Sequence, residues 1–262
     1  MKNRLKFKVF KIIQLFSLII SILCFIVVLI LCFKYDIGFG TRDILVTIAS
    51  IPLGVFFAIR NLLISREDYM VLQKYQNYNI CYKNFNYIQI VKGIVIHVSD
   101  DKDKYLKRYV DYPDELGFNE NHNHWNRCEA NSMVHGFIGY NKNQEVVIVN
   151  TMPYHISCCC CGTGSKGTYD KAPNGHIQIM ICRSEDCNEN YFNNAVFGAA
   201  VQYCSFLTKK FHLKPDAIIS DKEAYDSGYA KTYGDLEEWM LDYAKTMDDF
   251  RSAVKARLKG KN

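Results

Sequence analysis

The order of apolar and polar positions divides the chain into two unlike parts. Residues 12–33 are apolar except for Gln14, Ser17 and Ser21. At 1.5 Å per residue, such a run crosses the roughly 30 Å hydrocarbon core of a bilayer, so it predicts a transmembrane helix. It is too long for the apolar core of a signal peptide, and no small-x-small cleavage site follows it. After a polar loop at residues 36–43, residues 44–64 are apolar again, though weakened by Thr47, Ser50, Pro52, Gly54, Arg60 and Asn61. Length and the basic residues beyond it favour a second span; an interfacial or domain-packed helix is the alternative. The count of spans decides which side the remainder faces. With the N-terminus inside, two spans return the chain to the cytoplasm and one exports it.

From about Glu67 the pattern becomes that of a folded domain, giving a division into an anchor, residues 1–66, and a domain, residues 67–262. GIVIHVSD at residues 93–100 is short, rich in β-branched residues and opened by Gly93, so it reads as a buried strand that carries His97 to one end of a sheet. Residues 134–139 and 145–150 predict two strands joined by a turn at residues 141–143. Residues 176–182 predict another strand, with Ile177, Ile179 and Ile181 alternating. Helical spacing of Phe192, Ala195, Val196, Ala199, Tyr203, Phe206 and Phe211 predicts a helix over residues 190–212. A short strand follows Pro215 at residues 217–219. Thr246 caps a last helix whose apolar face is Met247, Phe250, Val254 and Leu258. Strands and helices interleave, so the expected class is α/β, one mainly mixed sheet with packed helices.

Composition changes this picture in two places. The net charge of +5 is accounted for by Lys2, Arg4, Lys6, Lys8 and Lys11, which precede the first apolar run. That is a membrane-topology signal, and it argues against a nucleic-acid partner. The eleven cysteines include four in succession, residues 158–161, and show no regular spacing. A secreted disulfide scaffold is excluded, and thiols kept reduced fit better. Only half of a paired C-x-x-C zinc motif is present. The stretch GTGSKGT at residues 162–168, within a Gly, Ser and Lys loop expected to be flexible, has the residues of a phosphate loop. Its lysine comes too early and no strand-loop-helix surrounds it, so nucleotide binding is set aside.

Several stretches, in order, carry a resemblance: NICYK from Asn79, KGIVIH from Lys92, LKRYV from Leu106, NHWNR from Asn123, VHGFIG from Val134, MPY from Met152, NGHIQIMIC from Asn174, NYFNNAV from Asn190, GDLEEW from Gly234 and KTMDDFRSAVKA from Lys245. Across roughly residues 75–258 the chain resembles the zinc-dependent N-acetylmuramoyl-L-alanine amidases, the type related to phage lysins and peptidoglycan recognition proteins. The resemblance implies an amidase-like α/β fold, a bacterial cell-membrane location for the anchored protein, and peptidoglycan or muropeptides as partner. It also implies a zinc-bound water that attacks the amide between muramic acid and L-alanine while a carboxylate passes the proton.

Residue by residue, the resemblance assigns His97 as the first zinc ligand and Asp235 as the third. Where the family has its second ligand histidine, this chain has Asp221. The family's catalytic glutamate falls on Met180, and a family Trp-His pair falls on Cys159 and Cys160. His135 and Trp125 match positions near the substrate groove, although a satisfied strand histidine and a core tryptophan are the alternatives. A shell of one histidine and two aspartates neutralises Zn²⁺, which weakens it as a Lewis acid. A thioether accepts no proton at neutral pH, and loss of general-base help costs about 10² to 10⁴ in rate. The expected protein is therefore a membrane-anchored, amidase-like protein whose activity is weak or lost. The alternatives are a catalytically dead peptidoglycan-binding module and a cytoplasm-facing pseudoenzyme with an interaction role.

Overall fold

The computed structural model describes residues 69–83, 87, 90–185 and 189–260. Both expected spans, residues 12–33 and 44–64, lie outside the described residues. Among the described residues no helix is long and apolar enough to cross a membrane.

The strands are β1 (Met70–Gln73), β2 (Gly93–Val98), β3 (Gly136–Tyr140), β4 (Val146–Asn150), β5 (His176–Ile181) and β6 (Ile218–Ser220). They form one sheet in the order β1-β4-β3-β5-β2-β6. Only β3 and β4, the expected hairpin, are antiparallel; the other neighbours run parallel. The sheet is therefore mixed, as the sequence predicts. Strand β1 is the element that the pattern does not announce. It has four residues, alternates between half-buried and exposed, and lies at the sheet edge, too short to give a periodic signal.

The helices are α1 (Ile80–Lys83), α2 (Pro113–Leu116), α3 (Phe197–Lys210), α4 (Asp221–Asp226), α5 (Leu236–Leu241) and α6 (Met247–Lys259). The predicted helix over residues 190–212 is realised as a short helical turn at Glu189–Tyr191, a π-helical turn at Phe192–Val196 and then α3. The expected cap of α6 is present: Thr246 accepts from the Asp249 amide, and the Asp249 side chain accepts from Thr246. Such reciprocal bonds satisfy two donors that a helix start leaves orphaned.

Strand side chains alternate between faces, and both faces of this sheet are covered. Ile94, Ile96 and Val98 of β2 and Ile177, Ile179 and Ile181 of β5 point to one side. There they pack with Tyr203 and Leu207 of α3, Trp239 of α5, and Phe250 and Val254 of α6. Burying side chains of this size contributes about 1.5–3 kcal/mol each. Phe137, Val147, Val149 and Met180 point to the other side, where irregular segments including Leu106, Tyr109 and Met152 cover them. Because both faces are buried, β2 has no exposed residue at all, and its sequence is continuously apolar apart from His97.

Gly93 opens β2 at a point of close approach. A Cβ there would lie 2.5 Å from the Ala217 carbonyl oxygen and 2.6 Å from the His176 ring. The carbonyl belongs to the backbone entering β6, so the clash cannot be relieved by a rotamer change. Gly93→Ala is expected to destabilise the protein by about 1–3 kcal/mol, as overpacking does. Urea denaturation would detect it, and an unchanged midpoint would count against the β2–β6 approach described.

Candidate functional site

The three parallel neighbours β5, β2 and β6 end on the same edge of the sheet, where crevices beyond strand carboxyl ends commonly hold ligands. Register places Met180 directly beside His97, and Ser220 beside Ile96. The residue after Ser220 is Asp221. Its position is fixed by the start of α4, where Ser220 accepts from the Glu223 amide and Glu223 accepts from the Ser220 amide. Arg251 of α6 holds the same Glu223 carboxylate at 3.0–3.1 Å. A capping box and a bidentate arginine thus deliver Asp221 to the ring of His97.

His97 is almost fully enclosed. Its Nδ1 lies 3.7 Å from Asp221 Oδ2, and its Nε2 lies 2.6 Å from Gln178 Oε1. The Cys161 sulfur stands 4.0 Å from the same Nε2 and donates to Gln178 Oε1 at 3.2 Å. An amide oxygen on one side and a carboxylate on the other ask for a proton on both ring nitrogens. Burial alone would lower the pKa of His97. The Cys160 sulfur and Asp221 outweigh it, leaving His97 well above the ordinary histidine value. Burial pushes the Cys161 thiol up to about 11, so Cys161 is a neutral donor.

Asp221 has little capacity left. Its Oδ2 accepts from the Gly234 amide at 2.8 Å and its Oδ1 from the Lys222 amide at 2.9 Å. Asp235, one residue beyond Gly234, turns elsewhere: its Oδ2 is paired with the Arg183 guanidinium. The structure therefore brings His97 and Asp221 together and commits Asp235 to an arginine. Among the described residues no three His, Cys, Asp or Glu side chains are grouped to hold a metal ion. The side chains present do not fit the three-ligand zinc site expected of His97, Asp221 and Asp235. Gln178 covers Nε2, Asp221 covers Nδ1, and the third carboxylate is already neutralised.

The substrate-groove residues have other partners. His135 is fully buried, and its Nδ1 accepts from the Gln178 amide at 3.0 Å while its Nε2 donates to the Ile156 carbonyl at 2.9 Å. Burial lowers its pKa to about 4. It bridges two backbones as a neutral ring and has no nitrogen left for a ligand. Trp125 is half-buried, with its ring edge-on to Tyr109 and Phe137. It packs on the loop-covered side of the core. Met180 is buried in that same cluster, so it fills core volume at the position where the resembled family has its glutamate.

Two residues that organise the site escape a reading of motifs. Gln178 had a signal: it is a polar side chain in HIQIMI, on the face opposite Ile177 and Ile179. Asp170 had none. It lies in the loop at residues 162–174, and its carboxylate gathers the cysteine run. Oδ1 accepts from the Cys160 and Cys161 amides at 3.1 and 2.9 Å, and Oδ2 accepts from the Gly162 amide at 2.9 Å. The Cys158 thiol approaches the same carboxylate at 3.7 Å. The loop expected to be flexible is tied down further on, with Lys166 and Tyr169 amides donating to Gly228 and Tyr229 carbonyls. Beside the site, a pocket of about 400 Å³ is lined by Asp100, Arg183, Tyr233, Gly234, Asp235 and Glu238.

No family model matches the chain, and no curated protein matches it in sequence. Solved structures do resemble it. The described domain has the mixed α/β fold of a bacterial hydrolase. The hydrolase AmiA of Staphylococcus aureus, solved in complex with its ligand, superposes with a TM-score of 0.51 at 15% identity, over 78% of this chain and 91% of that one. The catalytic domain of XlyA gives 0.47 at 14% identity, over 70% of this chain and 98% of that one. An endolysin from Bacillus subtilis gives 0.47 at 14% identity, over 71% and 99%. At such identities the likeness to AmiA speaks for the fold.

Proposed function

We propose that this chain is a membrane-anchored, N-acetylmuramoyl-L-alanine amidase-like protein that binds peptidoglycan or muropeptides and has weak or lost hydrolytic activity. The observation that carries the reading is the pairing of His97 with Met180 on adjacent strands. The position beside the one retained histidine offers a thioether where amide hydrolysis needs a proton acceptor. The closed ring of Gln178, Cys161 and Asp221 around His97 supports it further. The polar pocket between Asp100, Arg183 and Glu238 offers charges of both signs to a peptide that carries both. The AmiA-like fold supports peptidoglycan as the partner class. Contact with intact wall requires the domain outside the membrane, which follows from a cytoplasmic N-terminus when residues 44–64 take the interfacial or domain-packed alternative and leave residues 12–33 as a single span.

Full-length protein in detergent micelles, mixed with insoluble peptidoglycan, is expected to co-sediment with it while releasing no L-alanine-bearing peptide above background. Release at a rate comparable to an intact amidase would overturn the loss of activity; failure to sediment would overturn the binding. A reporter fused to the C-terminus is expected to be active outside the membrane. A cytoplasmic signal would instead favour the pseudoenzyme with an interaction role.

A further inference from the structure

A second, larger concavity lies at the far end of the sheet from His97. It has a volume of about 700 Å³, and its wall includes Asn150, the last residue of β4, and Val91, just before β2 begins. Register sets Asn150 beside Gly136, the first residue of β3, whereas His97 stands near the close of β2. Rings form much of the lining. Tyr154 is edge-on to Phe211, with centroids 5.7 Å apart, and its hydroxyl meets that of Tyr203 at 3.0 Å. His155 lies stacked on Tyr87 at 5.7 Å, and Phe206 lines the pocket while half-exposed. The Lys210 Nζ sits 5.8–5.9 Å from the ring centroids of Tyr154, Phe206 and Phe211. Among the described lining residues there is no Asp or Glu to neutralise it.

We propose that this pocket binds an acidic sugar, a pyranose of a wall glycan that carries a free carboxylate. The faces of a pyranose are C–H groups and its edge is hydroxyls, so a site for one needs aromatic faces together with hydrogen-bonding side chains. Tyr154 and Phe206 offer the first; Gln73, Asn150 and His155, in the same lining, offer the second. A hydrocarbon chain would strand those polar groups without partners. Asn150 spends its amide hydrogens on the His135 and Met152 carbonyls, which leaves its Oδ1 to accept from a hydroxyl. Lys210 supplies the charge that a carboxylate complements, in a lining with no opposing acid. The choice of a wall sugar rests on the peptidoglycan reading above. In that polymer the carboxylate of muramic acid is tied up in the amide to L-alanine and is freed when the amide is cleaved. Amide hydrolysis is thus the class of reaction that supplies this ligand, and the pocket takes its product.

N-acetylmuramic acid and N-acetylglucosamine differ by the lactyl ether and its carboxylate, so the pair isolates the charge. Saturation-transfer NMR on full-length protein in detergent micelles is expected to show N-acetylmuramic acid binding roughly fivefold to tenfold tighter. Lys210→Met, which keeps the apolar stem, is expected to bind the two sugars alike, and Phe206→Ala to weaken both. Both side chains reach solvent, so neither substitution disturbs the core. Equal binding of the two sugars by the parent, or a preference that survives Lys210→Met, would overturn the proposal. So would binding of neither sugar by protein that still co-sediments with intact peptidoglycan, a result that leaves the wall-binding reading standing. A preference abolished by Lys210→Met, in protein that fails to co-sediment, would bear out the pocket and overturn that reading alone.

Discussion

Asp170→Ala is expected to cost about 3–5 kcal/mol of stability, although the residue lies in a loop and touches neither His97 nor Asp221. Its carboxylate takes three consecutive amide protons, from Cys160, Cys161 and Gly162. Alanine would leave all three without that acceptor, the Cys161 amide in a buried place and the other two in partly buried ones, and each stranded donor costs about 1–3 kcal/mol. The total stays below the plain sum because the loop can relax and admit water. Asp170→Asn keeps one oxygen for the Cys160 and Cys161 amides and is expected to lose about 1–2 kcal/mol. Urea denaturation of both variants checks this ordering. An alanine variant within about 1 kcal/mol of the parent would mean that the carboxylate does not hold the run.

Mild acid should be nearly as damaging, and through histidines remote from any chemistry. Burial lowers the pKa values of both His135 and His176 to about 4, from 6.5. A neutral His135 is required because its Nδ1 accepts an amide proton. Between these limits the unfolded chain binds protons that the folded chain refuses, so stability falls as pH falls. Each group's contribution is fully present above about 6.5 and is lost as pH drops towards 4. The arithmetic of linkage gives about 2 kcal/mol from each by pH 5 and about 3 kcal/mol from each by pH 4. His97 does not offset this. Its raised value means that its own contribution is complete below 6.5 and is lost only as pH rises above neutrality. Denaturation midpoints at pH 7, 6 and 5 would test the slope, and His135→Gln should flatten it. A midpoint constant from pH 7 to 5 would contradict the buried, neutral state of both rings.

The prominence of His97 in the sequence and its setting in the structure have a common cause. A histidine in an otherwise apolar strand reads at once as a candidate ligand, because a buried polar side chain must have partners. The sequence could not say which partners. The resemblance supplied Asp221 and Asp235, and the structure separates them: one faces the imidazole and the other faces Arg183. The two are fourteen positions apart in sequence but share a backbone tie through Gly234, so their opposite orientations depend on a turn that composition does not encode. The reading of His135 as a groove residue yields to its bridge between two backbones for a similar reason. Which nitrogen meets which amide depends on β3 lying beside β5, and nothing local to VHGFIG states that.

What the sequence determined by itself was what short-range pattern can determine. Alternation along HIQIMI, the β-branched run of GIVIHV and the Thr246 cap each act within a few residues, and each is present as read. The mixed α/β class follows from their order. The tertiary structure alone decided everything that depends on residues far apart meeting: the edge strand β1, the parallel β5-β2-β6 register that sets Met180 beside His97, and the reach of Asp170 back to the cysteine run. The strand contacts join segments tens of residues apart and the grip of Asp170 spans eight to ten positions; their energies come from burial and paired hydrogen bonds that no local pattern announces.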